Sequence, residues 1–199
     1  MTLFIQNGNK LSHFISTLDK NESVHFNGIT TICENAFTSS NDVKSIFFDE
    51  NLKCINKSAF EDSESLKFFC CGKTPEPKAT EPKATEPKTQ KTKDSENEIY
   101  NLKEVTVSLN SDSFTIQTLA FSGCKNLQTV ILPSCKTLTI EKDAFSGCES
   151  LRTFVCECDK ISFTENPFED CSENLTFVAK SNSEIERFAR ENGYRFINA

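Results

Sequence analysis

The chain has 199 residues, 37% of them hydrophobic, and a formal net charge of -7 from 22 basic and 29 acidic side chains, a length that suits one ordinary domain. The negative balance argues against a nucleic-acid footprint, no apolar run approaches the roughly 18 residues of a membrane helix, and the opening MTLFIQNGNKLSHF lacks the cationic segment, apolar stretch and cleavage site of a secretory signal. Eighteen Phe against two Tyr and no Trp mean that some recurrent position asks for Phe.

In chain order, residues 1–23 read as an N-terminal cap. Leu11, Phe14, Ile15 and Leu18 have helical spacing, which predicts a short helix covering the exposed end of the core downstream. Residues 24–72 carry two copies of one phrase, ICENAF at 32–37 and INKSAF at 55–60. Each is followed by three spaced apolar residues: Val43, Ile46 and Phe48, then Leu66, Phe69 and Cys71. Residues 73–98 break the pattern, with four of the six prolines, six Lys against six Asp plus Glu, and no apolar side chain larger than Ala79 and Ala84. The tract is expected to be a disordered insertion rich in Pro, Thr, Lys and Glu that joins no core. Without it the hydrophobic share rises to about 42%, an ordinary globular value.

The repeats resume over 99–180. Leu102, Val105 and Val107 copy the second half of the unit alone; IQTLAF at 116–121, IEKDAF at 140–145 and FTENPF at 163–168 copy the first half. Their companions are Leu127, Val130 and Leu132, then Leu151, Phe154 and Cys156, whereas Leu175 arrives one residue late. Residues 181–199 read as a C-terminal cap. Ser183 and Glu186 fit a capping box, Ile185, Phe188 and Ala189 form a helical stripe, and Gly193 marks the helix end. Tyr194, Phe196 and Ile197 then predict a short strand.

The closing Phe residues lie 23, 61, 24 and 23 positions apart. A unit of about 23 residues cannot enclose a core, so copies must stack, each contributing a short strand to a parallel sheet while Ala and Phe fill the opposite wall. A repeat solenoid is the consequence. Two copies upstream of the tract are too few to stand alone, which favours one solenoid interrupted by a long loop.

The phrases AFSGCKNLQTVILP at 120–133 and AFSGCESLRTFVC at 144–156 resemble the leucine-rich repeats of BspA-like surface antigens, and the likeness recurs in register over roughly 24–72 and 99–199. It departs where Ser40 and Ser63 stand for later Cys residues and where Pro167 replaces the Ala. The resemblance implies a right-handed leucine-rich-repeat coil with a helical C-terminal cap, no cofactor and no catalytic residues. It implies a protein-binding module, a cell-surface antigen or adhesin whose ligands include host or extracellular matrix proteins. An intracellular scaffold or regulatory adaptor is the alternative, favoured by the lack of a visible signal segment and by ten cysteines outside any disulfide-scaffold spacing.

Reactive chemistry is sparse. His13 and His25 have no neighbouring nucleophile in sequence, and neither Cys70-Cys71 nor Cys156-Glu157-Cys158 has the spacing of a zinc site. Cys124, Cys148 and Cys171 recur at one place in successive units, which predicts an inward column of thiols acting as small hydrophobes. The candidate partner-binding residues occupy two rows of the strand half. Lys44, Lys67, Lys103 and Arg152 follow the first apolar position, with Gln128 and Thr176 at the same place. Phe47, Ile131 and Val155, with Cys70, Thr106 and Ala179, fill a position that the outer face of the sheet is expected to expose. An apolar row bordered by charge marks an interaction surface, the alternative being that the neighbouring wall, the linker or a terminal cap covers it.

Overall fold

Each coil makes two short strands joined by the Ala-Phe turn, and the strands of successive coils pair side by side. The computed structural model describes residues 2–16, 22–38, 40–72 and 111–199. Among these the strands form two seven-stranded sheets. Sheet A runs β1 (Thr2–Asn7), β2 (Lys10–Ser16), β4 (Thr31–Ile32), β6 (Cys54–Ile55), β8 (Ser111–Ile116), β10 (Cys135–Ile140) and β12 (Lys160–Phe163). Sheet B runs β3 (Glu22–Phe26), β5 (Val43–Phe48), β7 (Phe68–Cys71), β9 (Thr129–Ile131), β11 (Thr153–Val155), β13 (Thr176–Ala179) and β14 (Arg195–Asn198). From β2 to β13 the chain alternates between the sheets, and every pairing except β1 with β2 is parallel. This is the solenoid expected from the repeat.

The core lies between the sheets. Ile32, Ile55, Ile116 and Ile140 point into it from sheet A, and Ile46, Phe69, Val130, Phe154 and Phe177 from sheet B. The turn Phe residues stack as a ladder along the axis: Phe14, Phe37, Phe60, Phe121, Phe145 and Phe168 succeed one another at ring distances of 4.8, 4.6, 4.8, 5.0 and 5.2 Å. Backbone ties hold it, since the Phe37, Phe60 and Phe121 amides each donate to the Ala carbonyl of the next coil at 2.7 Å. That ladder uses only the carbonyl of the small residue, which is why Pro167 substitutes for Ala: its carbonyl still accepts from Phe145 at 2.9 Å.

The turns need left-handed backbone at two places. Asn35, Ser58, Leu119 and Asp143 precede the small residue with φ of 57, 54, 59 and 55°. Two residues after the Phe, Asp62, Gly123, Gly147 and Asp170 do the same. At Gly123 (φ 71°) a Cβ would also run into the side chain of Asp62.

Two features differ from the sequence-based expectations. The N-terminal segment is not a helix but a β-hairpin, β1 with β2, turning at Gly8. Its register shifts between Ile5 and Gln6, whose partners are His13 and Leu11, leaving Ser12 as an extra residue. The bulge turns Leu11 and Phe14 to the same, inward side, and a spacing of three along a strand then mimics a helix face. Leu18 lies outside the described residues. The second difference concerns residues 73–110, which also lie outside them. β7 pairs directly with β9 and β6 with β8, and Phe60 stacks on Phe121 with rings 4° from parallel. The coils flanking the tract are therefore neighbours in one solenoid, as the repeat count favours, but no strand lies between β7 and β9 where a further half unit was expected; Leu102, Val105 and Val107 lie outside the described residues.

The C-terminal end matches its sequence pattern. Helix α1 (Glu184–Glu191) starts at Ser183, whose side chain accepts from the Glu186 amide, while Glu186 accepts from the Asn182 amide at 2.7 Å. Ile185 and Ala189 are buried against the last coil, and β14 pairs in parallel with β13.

Candidate functional site

The basic row is built by the start of each sheet B strand. Val43, Leu66, Leu127 and Leu151 plug into the core, which forces the next residue to the edge. The backbone aligns these residues coil by coil: Lys67 N–H donates to Lys44 at 2.8 Å, Gln128 to Lys67 at 2.8 Å and Arg152 to Gln128 at 2.9 Å. Lys44, Lys67, Gln128 and Arg152 therefore form a continuous row, with Arg152 and Gln128 exposed and the two Lys half-buried. Lys44 and Lys67 share a shallow groove with Asn41, Glu64, Ser65 and Asn126, and Glu64 pairs with Lys125 at 3.5 Å. Lys103 lies outside the described residues, and the direct contact of Lys67 with Gln128 leaves no gap for it in the row. Thr176 N–H still donates to Arg152 at 2.9 Å, but the late arrival of Leu175 shifts β13 so that the register pairs Thr176 with Thr153 and takes its side chain out of the row.

The apolar row departs from expectation more sharply. Register aligns Phe47, Cys70, Ile131, Val155 and Val178 on the outward side of sheet B; the β13 shift puts Val178 there and turns Ala179 inward. Of the two readings of this row the structure has the covered one: Ile131 and Val155 are 1% and 3% accessible rather than exposed, in a cluster with Phe68, Cys70 and Val178 separate from the main core. A continuous apolar face does not stay wet when something can cover it. Phe47, at the margin, is half-buried and stacks on His25 at 4.4 Å. Nothing in the sequence linked His25 to Phe47, because only the pairing of β3 with β5 brings the two together.

The thiols form the expected column, with a defined role. Cys124, Cys148 and Cys171 donate to the carbonyls of Phe60, Phe121 and Phe145 at 3.1, 3.2 and 3.2 Å. Ser63 does the same to Phe37 at 2.6 Å. Burial pushes the Cys70, Cys124 and Cys156 thiols up to about 12, and Cys71 and Cys148 well above the ordinary range. Such thiols are poor nucleophiles. Cys135 and Cys158 form a disulfide between adjacent coils, with Cα atoms 4.7 Å apart. Their separation of 23 residues is one repeat period, the signal that could have found them. Among the described residues no three His, Cys, Asp or Glu side chains gather to hold a metal, and no helix is long and apolar enough to cross a membrane.

A family model described as a BspA type leucine rich repeat region matches the chain in six copies, over residues 12–75 and 95–193. The chain belongs to the BspA-type leucine-rich repeat family. A solved member of the wider architecture, the pneumococcal vaccine antigen PcpA, superposes with a TM-score of 0.56 at 16% identity. The alignment covers 100% of this chain and 46% of that one, so the BspA-type repeats described here span about half the length of the antigen they resemble. No curated protein matches the sequence significantly.

Proposed function

We propose that this chain is a non-catalytic protein-binding module of a surface-associated or secreted protein, and that an acidic protein ligand meets it along Lys44, Lys67 and Arg152 with Phe47 at the rim. One observation carries the reading: three of the four aligned residues in the row are basic in a chain of net charge -7. Lys44 and Lys67 stand on neighbouring strands about 5 Å apart, where like charges repel, and with Arg152 two strands further on the row would steer and orient an anionic partner. The BspA-type repeat supports a protein ligand. Residues 73–98 serve in this reading as a solvated spacer within the solenoid, and 1–23 and 181–199 as its end caps.

The test is surface plasmon resonance of wild type and the double variant Lys67→Glu, Arg152→Glu over an immobilised poly-glutamate peptide and a panel of acidic extracellular matrix proteins. Wild type should bind at least one probe, more slowly as salt rises, and the variant should bind it at least tenfold more weakly with an unchanged melting temperature. Equal binding by a folded variant places the ligand elsewhere. Eight free cysteines favour the intracellular adaptor as a second reading. Surface labelling of intact cells with disulfide mapping separates the two: labelled protein with Cys135–Cys158 oxidised supports the surface reading, and inaccessible protein with ten free thiols supports the adaptor.

A further inference from the structure

Each sheet has two end strands, and an end strand offers its unpaired N–H and C=O groups to a further strand unless something blunts it. Three of the four are blunted. β1 and β3 pair with their neighbours through register shifts, between Ile5 and Gln6 and between Glu22 and Ser23, and a bulge in the outermost pair bends and twists its edge. β12 begins with the exposed Lys160 and has α1 against it, where Phe188 meets Phe163 at 4.4 Å between ring centroids. β14 is different. It pairs with β13 over all four of its residues without a shift, and no described strand lies on its other side. It contains no Pro or Lys. Helix α1 reaches it from the core side, through Ile185, Phe188 and Ala189.

The chemistry of that open edge is specific. The Arg195 and Ala199 amides donate to the Leu175 and Ala179 carbonyls at 3.2 and 2.9 Å, and alternation therefore turns the N–H and C=O of Phe196 and Asn198 away from β13. On the outward face β14 presents Arg195 and Ile197, opposite Thr176 and Val178. Ile197 is 55% accessible, the one large hydrophobic side chain exposed among the described residues. Arg195 is exposed and no carboxylate among the described residues pairs with it, whereas Arg187 and Arg190 of α1 are each paired with Glu side chains.

We propose that β14 takes up an extended peptide of a partner protein as an added strand of sheet B, and that this peptide carries an Asp or Glu and a β-branched apolar residue separated by one position. Side chains two apart share one face of a strand, so this spacing sets the carboxylate beside Arg195 and the apolar residue beside Ile197, each about 5 Å away. Backbone bonds to Phe196 and Asn198 supply affinity, and the two side chains supply the choice of sequence. The edge lies two strands beyond β11, where the basic row reaches Arg152, so this site and the row are separate and each reading stands without the other.

Ten-residue peptides displayed on phage and panned over the intact chain should enrich that spacing, and fluorescence polarisation then measures an enriched peptide. Ile197→Lys and Arg195→Glu, both at exposed positions, should each weaken it at least tenfold with an unchanged melting temperature. The double variant Lys67→Glu, Arg152→Glu should bind it as wild type does. N-methylation of one alternate set of peptide amides should abolish binding, and methylation of the other set should leave it within about threefold, the signature of a strand paired on one side. No enrichment of the spacing, binding indifferent to Ile197→Lys, or an equal effect of the two methylated sets overturns the proposal. So does sedimentation velocity that finds wild type dimeric and Ile197→Lys monomeric, because the edge then belongs to a second copy.

Discussion

Replacing Phe145 with Ala tests the stacking principle of the fold most directly. The ring is 0% accessible and lies parallel to Phe121 at 5.0 Å and to Phe168 at 5.2 Å, with Phe154 edge-on at 5.5 Å. Truncating a buried Phe costs roughly 3 to 5 kcal/mol in lost transfer and cavity terms. Well-placed aromatic pairs contribute about 0.5 to 1.5 kcal/mol each beyond their area. Three such partners push the expectation to the upper end, about 4 to 5 kcal/mol, which at roughly 2 to 4 °C per kcal/mol for a chain of this size lowers the melting temperature by about 8 to 20 °C. Phe145→Leu keeps most of the volume and loses the rings, so it should cost only about 1 to 2 kcal/mol. Phe14 ends the ladder, with Phe37 its one stacked neighbour among the described side chains and 6% accessibility, and Phe14→Ala should cost less than Phe145→Ala. Thermal melts followed by circular dichroism measure all three. A loss below about 1 kcal/mol for Phe145→Ala, or equal losses at the end and the middle of the ladder, would refute the idea that inter-coil ring stacking holds this solenoid together.

The turns and thiols give three further expected outcomes. Gly123→Ala should destabilise by about 1 to 2 kcal/mol, because its φ of 71° is left-handed and the new Cβ meets Asp62; adding Asp62→Ala should recover part of the loss in a double-mutant cycle. Cys148→Ser should be close to neutral in a urea titration, since Ser63 already makes the same bond to its own upstream carbonyl, whereas Cys148→Ala should cost about 1 to 2 kcal/mol. Cys70, Cys124 and Cys156 are raised by burial from 9.0 to about 12, so the folded state holds their protons where the unfolded state releases them. Their stabilisation is complete below pH 9 and is lost as pH rises toward 12; the melting temperature should hold to about pH 8 and fall from pH 9 upward, and a flat profile to pH 11 would contradict it.

Much of this molecule is legible in its sequence because a repeat protein writes its local geometry many times over. The spacing of Phe37, Phe60, Phe121, Phe145 and Phe168 determined the coil length, and the alternation after each of them determined which strand residues face the core. The thiol column and the capped C-terminal helix were readable for the same reason, since each depends on contacts within a coil or with the coil next door. The tertiary structure decided what depends on residues far apart. The Ser12 bulge that makes Leu11 and Phe14 share a face arises from pairing with β1, and a bulged strand and a helix write the same three-residue spacing. The direct pairing of β7 with β9 across residues 73–110 decided which coils are neighbours, and with it that Lys67 meets Gln128 rather than Lys103. Local pattern also gave Ile131 and Val155 an outward direction, but their burial depends on what lies above the sheet. Alternation specifies the side of a strand; only the path of the whole chain specifies whether water reaches it.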